Sequence, residues 1–363
     1  MRIIFHIPIR IDRTDPSASQ IRPQKLMAAF TELGYEVDVV EGCAAERRRR
    51  IAAIKRNIRQ GVRYEFLYSE SSTMPTLLTG RHHLPTHPFL DFGFFRFCKR
   101  HGIPIGLFYR DIYWRFINKG ANLKQRVAAL FYRYDLMQYR RLLSVLFLPT
   151  LRMQRYVPGQ FRCQVMELPS GCPYKPLDRK GHQGLIELFY VGGVGGDYDL
   201  RSLVRAVADL DGIHLTLCCR LYDWELVRDD YQPLLNEHVT VVHESGEALM
   251  KRYAGADLFA MMFTPSEYRG FAAPYKLFEA LGYGIPVLTT EHTWAGDYVQ
   301  QAGVGCVCSN DEAAMKEILL DLLQHRERIE EWRVRIPKVA QDNTWQARCR
   351  QIAQSLSTKK EDR

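Results

Sequence analysis

A lysine and a glutamate three residues apart, Lys276 and Glu279, are the residues best placed to do chemistry, in the stretch PYKLFEALGYGIPVLTT at 274–290. Leu277, Phe278 and Leu281 give this stretch one apolar face, and Lys276 and Glu279 share another, so it reads as a helix. Pro274 suits the first turn, where a missing N–H costs nothing. Gly282 and Gly284 end the helix, Pro286 prevents its return, and PVLTT reads as a short buried strand. A helix start attracts anions, yet a lysine in the first turn opposes the helix dipole. An anion that accepts from both resolves the conflict. A diphosphate fits, and a glutamate one turn further on can hold a pair of sugar hydroxyls. The plain alternative is an exposed ion pair on an ordinary helix.

Other segments offer further groups. YVGGVGGDYDL at 190–200 reads as a strand, a glycine turn and a helix start. Gly192, Gly193, Gly195 and Gly196 let a ligand approach the backbone closely, and Asp197 is a helix-capping residue type. The spacing is neither G-x-G-x-x-G nor a P-loop, and a flexible turn is the competing reading. LFYRDIYW places Arg110 and Asp111 at a strand end, where acids of α/β folds meet ligands. Asp111 there can position or deprotonate an acceptor hydroxyl, or else cap a helix or pair with Arg110. Arg10, Arg13 and Arg22, near the end of the first strand, face an anionic acceptor or only water. His82, His83 and His87 lie in RHHLPTHP, where Pro85 and Pro88 forbid a helical metal pair, so a polar loop is expected and no metal site. Neither G-x-S-x-G nor H-E-x-x-H occurs.

The elements that must position these residues alternate along the chain. Residues 1–9 read as a strand, 20–34 as a helix closed by Gly34, and YEVDVVEG as the next strand, the opening of a parallel α/β sheet. YEFLYSE, IPIGLFYRD, SVLFLPT and CQVMELPSG follow as strands, with helices at PFLDFGFFRFCKRHG and about 120–143. A second series begins with LIELFYVGG and continues through IHLTLCCR, VTVVHES, DLFAMMFT and PVLTT, with helices at 311–328 and 342–356. The expected organisation is therefore a first Rossmann-like domain over 1–170, a linker at 171–184 and a second such domain over 185–341. The final segment, 342–363, forms a helix and a charged tail. Two α/β halves in series are expected to face a cleft, with ligands at the strand ends.

Bulk composition narrows the class. A chain of 363 residues, 46% hydrophobic, suits two domains with full cores. No apolar run is long enough to span a bilayer, and the N-terminus lacks the pattern of a signal peptide. Nine cysteines without framework spacing point to reduced thiols in a cytoplasm. The net charge is +9, concentrated in ERRRRIAAIKRNIRQGVR and in LKQRVAALFYRYDLMQYRRLLSVLFLP. The second stretch mixes Arg and Tyr with aliphatics at helical spacing. Such helices suit an anionic membrane surface, which places the protein at the periphery of the inner membrane; a solvated helix face is the ordinary alternative. Binding of nucleic acid is not expected, because the aromatic-basic motif of an RNA-recognition sheet is missing.

Taken together these segments resemble a GT-B glycosyltransferase of the large retaining group called family four. The likeness runs through ELGYEVDVVEG, VMELPSGC, LFYVGGVGG, VTVVHESGEALMKRYAGADLFAMM, FEALGYGIPVLTTE and TWQARCRQIAQSL. It implies that the last segment is a helix crossing back to the first domain. It makes Glu279 the second glutamate of the family's paired-glutamate motif, on the nucleotide ribose, and Lys276 the donor-phosphate lysine of a subgroup with P-x-K-x-x-E. The glycines at 192–196 and Arg220 would lie at the donor diphosphate, and Phe271, Ala272 and Pro274, in the loop feeding the helix, would also bind the donor. Two departures stand out: Phe271 occupies the position of the first motif glutamate, with Glu267 four residues off, and the family's usual Arg and Lys after LFYVGG are missing. The resemblance implies sugar transfer from a UDP- or GDP-linked donor to a hydroxyl, with retention and without metal or cofactor; the basic first domain adds the expectation of a lipid-linked or oligosaccharide acceptor, as in surface polysaccharide assembly. Lys276, Glu279 and Asp111 would carry the reaction, and Arg10, Arg110 and Asp111 would hold the acceptor. The competing readings are a non-hydrolysing UDP-sugar epimerase on the same architecture, a basic nucleic-acid-binding protein, and an inactive transferase-like scaffold.

Overall fold

The computed structural model describes residues 1–15, 17–80, 82–116, 123–177, 184–196 and 198–357. Asp197, the opening of the basic stretch at 120–122, the linker residues 178–183 and the tail from 358 lie outside them. The chain divides into two compact units, Met1–Gly171 with Trp345–Arg363, and Cys172–Thr344.

The first unit runs β1 (Arg2–His6), α1 (Ala18–Glu32), β2 (Glu36–Val40), α2 (Ala44–Arg59), β3 (Leu67–Glu70), α3 (Leu90–Arg100), β4 (Ile105–Phe108), α4 (Leu123–Leu142), β5 (Val145–Leu148) and β6 (Gln164–Glu167). Its strands form one six-stranded sheet in the order β2-β1-β3-β4-β5-β6, parallel throughout. IGLF of β4 and VLFL of β5 are buried along their whole length, as parallel strands covered on both faces require.

The second unit runs β7 (Ile186–Val191), α5 (Arg201–Ala208), β8 (Ile213–Cys218), α6 (Leu221–Glu225), α7 (Arg228–Tyr231), β9 (Val239–Val242) and α8 (Gly246–Gly255). It continues with β10 (Leu258–Met261), α9 (Tyr275–Gly282), β11 (Val287–Thr290), α10 (Trp294–Ala302), β12 (Gly305–Cys308), α11 (Glu312–Gln324) and α12 (Glu327–Asp342). The sheet order is β12-β11-β10-β7-β8-β9. Side chains alternate across the central strand. Leu188 and Tyr190 pack with Leu203 and Val204 of α5 and Met315 and Leu319 of α11. Phe189 packs on the other face with Phe259, Met261 and the Leu277, Phe278 and Leu281 stripe of α9.

The last helix, α13 (Trp345–Ser357), completes the first unit. Cys349 Sγ donates to the Leu26 carbonyl at 3.5 Å and Gln351 Nε2 to that of Glu167 at 2.7 Å. Leu356 fills the space over Gly106, where a Cβ would stand 2.9 Å from its Cδ1. The α/β class and the two Rossmann-like halves expected from the strand–helix alternation are the architecture found.

Three local expectations change. Pro274 is the residue before the helix, with φ −69° and ψ 134°, and Tyr275 begins α9. The glycine turn does not run straight into a helix: Gly195 and Tyr198 exchange two backbone hydrogen bonds of 3.1 Å, and α5 starts only at Arg201. α12 was not anticipated, because Pro337 interrupts its pattern. Its buried Ile329, Trp332, Ile336 and Ala340 nevertheless fall on one helical stripe.

Candidate functional site

The glycine turn and the start of α9 meet through Lys276. β7 ends at Val191, and Lys276 Nζ donates to the Val191 carbonyl. The next residue must be glycine for this to happen, since a Cβ at Gly192 would collide with Nζ. Gly195 and Gly196 hold φ of +88° and +58°, a left-handed conformation that strains any side chain. The turn thus brings backbone, rather than side chains, to the amine.

The amine is drawn out of water. Burial lowers its pKa to about 8, opposed by Glu279 and Cys218 and reinforced by Arg220. It also lies 5.7 Å from the Tyr190 ring centroid. Arg220 caps the start of α6 and is exposed, so its charge reaches Lys276 through space. Glu279, one turn further along α9, accepts from Tyr253 Oη at 3.0 Å. Tyr253 is clamped between Phe189, at 5.0 Å, and Tyr283, at 4.9 Å, so the carboxylate is held by a fixed donor. α9 has no acidic residue in its first turn to offset the dipole.

A second cation stands beside the turn. Arg269, in the loop before α9, is only 9% exposed. Its guanidinium lies 4.4 Å from the Phe263 ring and 4.8 Å from that of Tyr198, and its charge is felt at Tyr190. No carboxylate pairs with it among the described residues. Rings can shelter a cation, but they do not neutralise it. The same loop places Phe271 in the core at 2% exposure, with Ala272 and Pro274 half-buried. Glu267 is exposed. Lys276, Arg269 and the N-terminal end of α9 together can stabilise a diphosphate, in the ground state and as a leaving group. Arg269 carries no local signal, because its rings come from segments remote along the chain.

Residues 186–325, which carry this whole arrangement, match the family model described as Glycosyl transferases group 1. Most of the second unit is therefore similar to group 1 glycosyltransferases. The whole chain is similar in fold to a glycosyltransferase from Rickettsia africae, with a TM-score of 0.67, 9% identity and 99% of each chain covered. It is also similar to sucrose-phosphate synthase from Thermosynechococcus elongatus, with a TM-score of 0.65, 14% identity and 98% of each chain covered. A third likeness is to HepE from Anabaena in complex with UDP-glucose, with a TM-score of 0.64, 13% identity, and 99% of this chain and 100% of that one covered. No protein of curated function matches the sequence significantly.

In the first unit, the expected acceptor residues are placed separately. Arg10 is exposed and pairs with Glu46. Arg110 follows β4, and its guanidinium pairs with the buried Glu70 at 2.7 Å, while Arg22 holds the same carboxylate at 2.9 Å. Arg22 is buried and also donates to the Pro169 carbonyl at 3.1 Å, so it fastens α1 to β3 and to the end of β6. Asp111 is half-buried and accepts from the Tyr113 backbone N–H at 2.8 Å. His82 and His83 are exposed, and among the described residues no group of three or more His, Cys, Asp or Glu side chains could hold a metal ion.

One arrangement has the residue types of a nucleophilic triad. His6 reaches Ser69 Oγ at 2.8 Å through Nδ1 and Asp91 Oδ1 at 3.0 Å through Nε2. Arg47 grips both Asp91 oxygens at 2.9 Å. All four side chains are buried, and burial lowers the His6 pKa against the pull of Asp91. A serine sealed from solvent has no substrate to attack. The group ties α2 and α3 to β1 and β3, and this corrects the expectation that Arg47 belongs to a basic surface.

Proposed function

We propose that the chain transfers a sugar from a nucleotide diphosphate sugar to a hydroxyl of a saccharide acceptor, with retention and without a metal ion. The observation that carries this is the convergence of Lys276 and Arg269 on a glycine turn, with Glu279 one helical turn away. Lys276, Arg269 and the α9 N–H groups hold the diphosphate, and Glu279 takes the ribose hydroxyls. Gly192, Gly193, Gly195 and Gly196 admit the phosphates to the backbone, and Arg220 adds charge at the edge. As the bond from the anomeric carbon to the diphosphate oxygen breaks, the acceptor oxygen bonds to that carbon on the same face. The acceptor proton passes to the departing diphosphate, whose negative charge the cations stabilise. Asp111 positions the acceptor hydroxyl, the exposed Arg10 contacts acceptor anions, and Arg110, held by the buried Glu70, fixes the strand end beside Asp111. The acceptor is a lipid-linked or oligosaccharide hydroxyl presented at the cytoplasmic face of a membrane, as in surface polysaccharide assembly.

The experiment is thermal shift with UDP, GDP and their sugars, followed by chromatography of donors incubated with the protein. A nucleotide at a hundred times its dissociation constant adds about 2.7 kcal/mol, well within reach of a melting curve. Release of nucleotide diphosphate from one sugar donor, with an acceptor-dependent increase, is the expected result. Absence of any nucleotide shift, or recovery of the sugar nucleotide with one inverted hydroxyl, overturns the proposal; the second result identifies an epimerase.

A further inference from the structure

The outward face of α4 carries an apolar stripe that the core of its unit does not use. Asp135, Leu136, Tyr139 and Leu142 point inward and are buried. Leu123, Val127, Leu130 and Met137 point outward, with exposures of 76, 42, 62 and 36%. Their spacing of four, three and seven residues keeps them on one line of the helix. α3 lies alongside: Phe92 meets Tyr134 at 5.7 Å, Arg96 reaches Gln138 at 3.3 Å and Lys99 reaches the Arg141 carbonyl at 2.6 Å. This parallel pairing puts Phe89, a turn before Phe92 and 76% exposed, close to the level of Leu130. Contiguous apolar surface of this kind marks an interaction site rather than ordinary solvent-facing helix.

The charges around the stripe have one sign. Lys124, Arg126, Arg133 and Arg141 of α4 are exposed, as are Arg96, Lys99 and Arg100 of α3. The acids of these two helices, Asp91 and Asp135, are both buried. A second copy of the same helix would set arginine against arginine, although the stripe has the spacing of a coiled-coil seam. Nucleic acid would accept the charge but leave the leucines in water. An anionic lipid surface accepts both, with apolar side chains below the headgroups and guanidinium groups at the phosphates.

We propose that α4 docks the protein reversibly on an anionic lipid surface, with Leu123, Val127, Leu130 and Met137 entering between headgroups and Arg126, Arg133 and Arg141 resting on lipid phosphates. This deepens the reading of a membrane-presented acceptor and rests on it only for its purpose. It also divides the two basic stretches of the sequence. On α2, Arg47 is buried against Asp91, and Lys55 and Arg59 lie over the Phe97 ring. No large apolar side chain of α2 is exposed among the described residues, so α2 has nothing to insert.

The test is sedimentation of the full chain with vesicles of phosphatidylcholine alone and with added phosphatidylglycerol. Binding is expected only to the anionic vesicles and should weaken with salt. Val127→Gln with Leu130→Gln should lower it about tenfold or more. Arg126→Gln with Arg133→Gln should lower it roughly tenfold and flatten the salt dependence. Arg49→Gln with Arg50→Gln, on α2, should leave it unchanged. Leu130→Trp should show fluorescence quenched by brominated lipid, which reports insertion without relying on a loss. Full vesicle binding by the Gln stripe variant, retention of an oligonucleotide but not of vesicles, or a dimer abolished by Leu130→Gln would each overturn the proposal. Melting with UDP and GDP runs alongside. A wild-type chain that binds vesicles but no nucleotide refutes the transferase reading and leaves the docking face standing.

Discussion

Binding of a nucleotide diphosphate should draw a proton onto the protein in mildly alkaline solution. Burial lowers the Lys276 pKa to about 8, against the pull of Glu279 and Cys218. A phosphate oxygen at Nζ favours the charged amine and returns the pKa toward its ordinary value of about 10.4. At about pH 8.5 roughly three-quarters of the amine is neutral in the free protein, so binding takes up about 0.7 of a proton. At about pH 6.5 the amine is already charged and this uptake vanishes. Affinity accordingly falls about tenfold between about pH 7 and pH 9. Isothermal titration in buffers of different ionisation heat reads the proton count directly. Lys276→Met removes both the uptake and the pH dependence while filling similar space. In the free protein the folded pKa lies below the unfolded one, so between these values the unfolded chain holds more protons. Stability therefore rises with pH across that window, by at most about 3 kcal/mol, and Lys276→Met flattens the rise. A binding heat that does not change with buffer at about pH 8.5, or a dependence retained in Lys276→Met, refutes the assignment of Nζ to the phosphate.

Glu279→Gln should weaken a ribonucleotide diphosphate but barely affect its 2′-deoxy form, since an amide cannot accept two hydroxyls as a carboxylate does; equal loss for both ligands places the glutamate away from the ribose. Arg269→Gln should cost about 2 kcal/mol of diphosphate binding and much less of monophosphate binding, which paired titrations with UDP and UMP will show. Asp135 is pushed up to about 7 by burial, against its hydrogen bonds from Thr76. Its folded pKa lies above the unfolded one, so its contribution to stability falls as pH rises from about 4 to about 7. Asp135→Asn keeps an acceptor for the Thr76 N–H and should remove that fall, seen as a flatter plot of melting temperature against pH.

The fold was legible because parallel strands buried on both faces leave uninterrupted apolar words such as VLFL and IGLF, and a helix between each pair fixes the topology. That Lys276 and Glu279 share one helix was legible because it is local, set by a helix start and an i,i+3 spacing. What escaped the sequence depends on contacts between remote segments. Arg269 becomes a sheltered cation only because Phe263, at the end of β10, and Tyr198, beyond the glycine turn, close over it. Arg47 reads as one more arginine in ERRRR until Asp91 of α3 arrives beside it. α12 was hidden by Pro337, which breaks the pattern without breaking the helix. The glycine turn was found, but the reason for Gly192, room for the Lys276 amine, needed the two segments side by side.

The return of α13 to the first unit means that the second unit is an insertion in the chain of the first. During synthesis the second unit can close as soon as Thr344 has left the ribosome. The first unit must wait through that whole interval with the groove between α1 and β4 uncovered, exposing Leu26 and the surface at Gly106 that Cys349 and Leu356 later cover. A chain cut before Trp345 would therefore damage the half made earliest and spare the half nearest the cut.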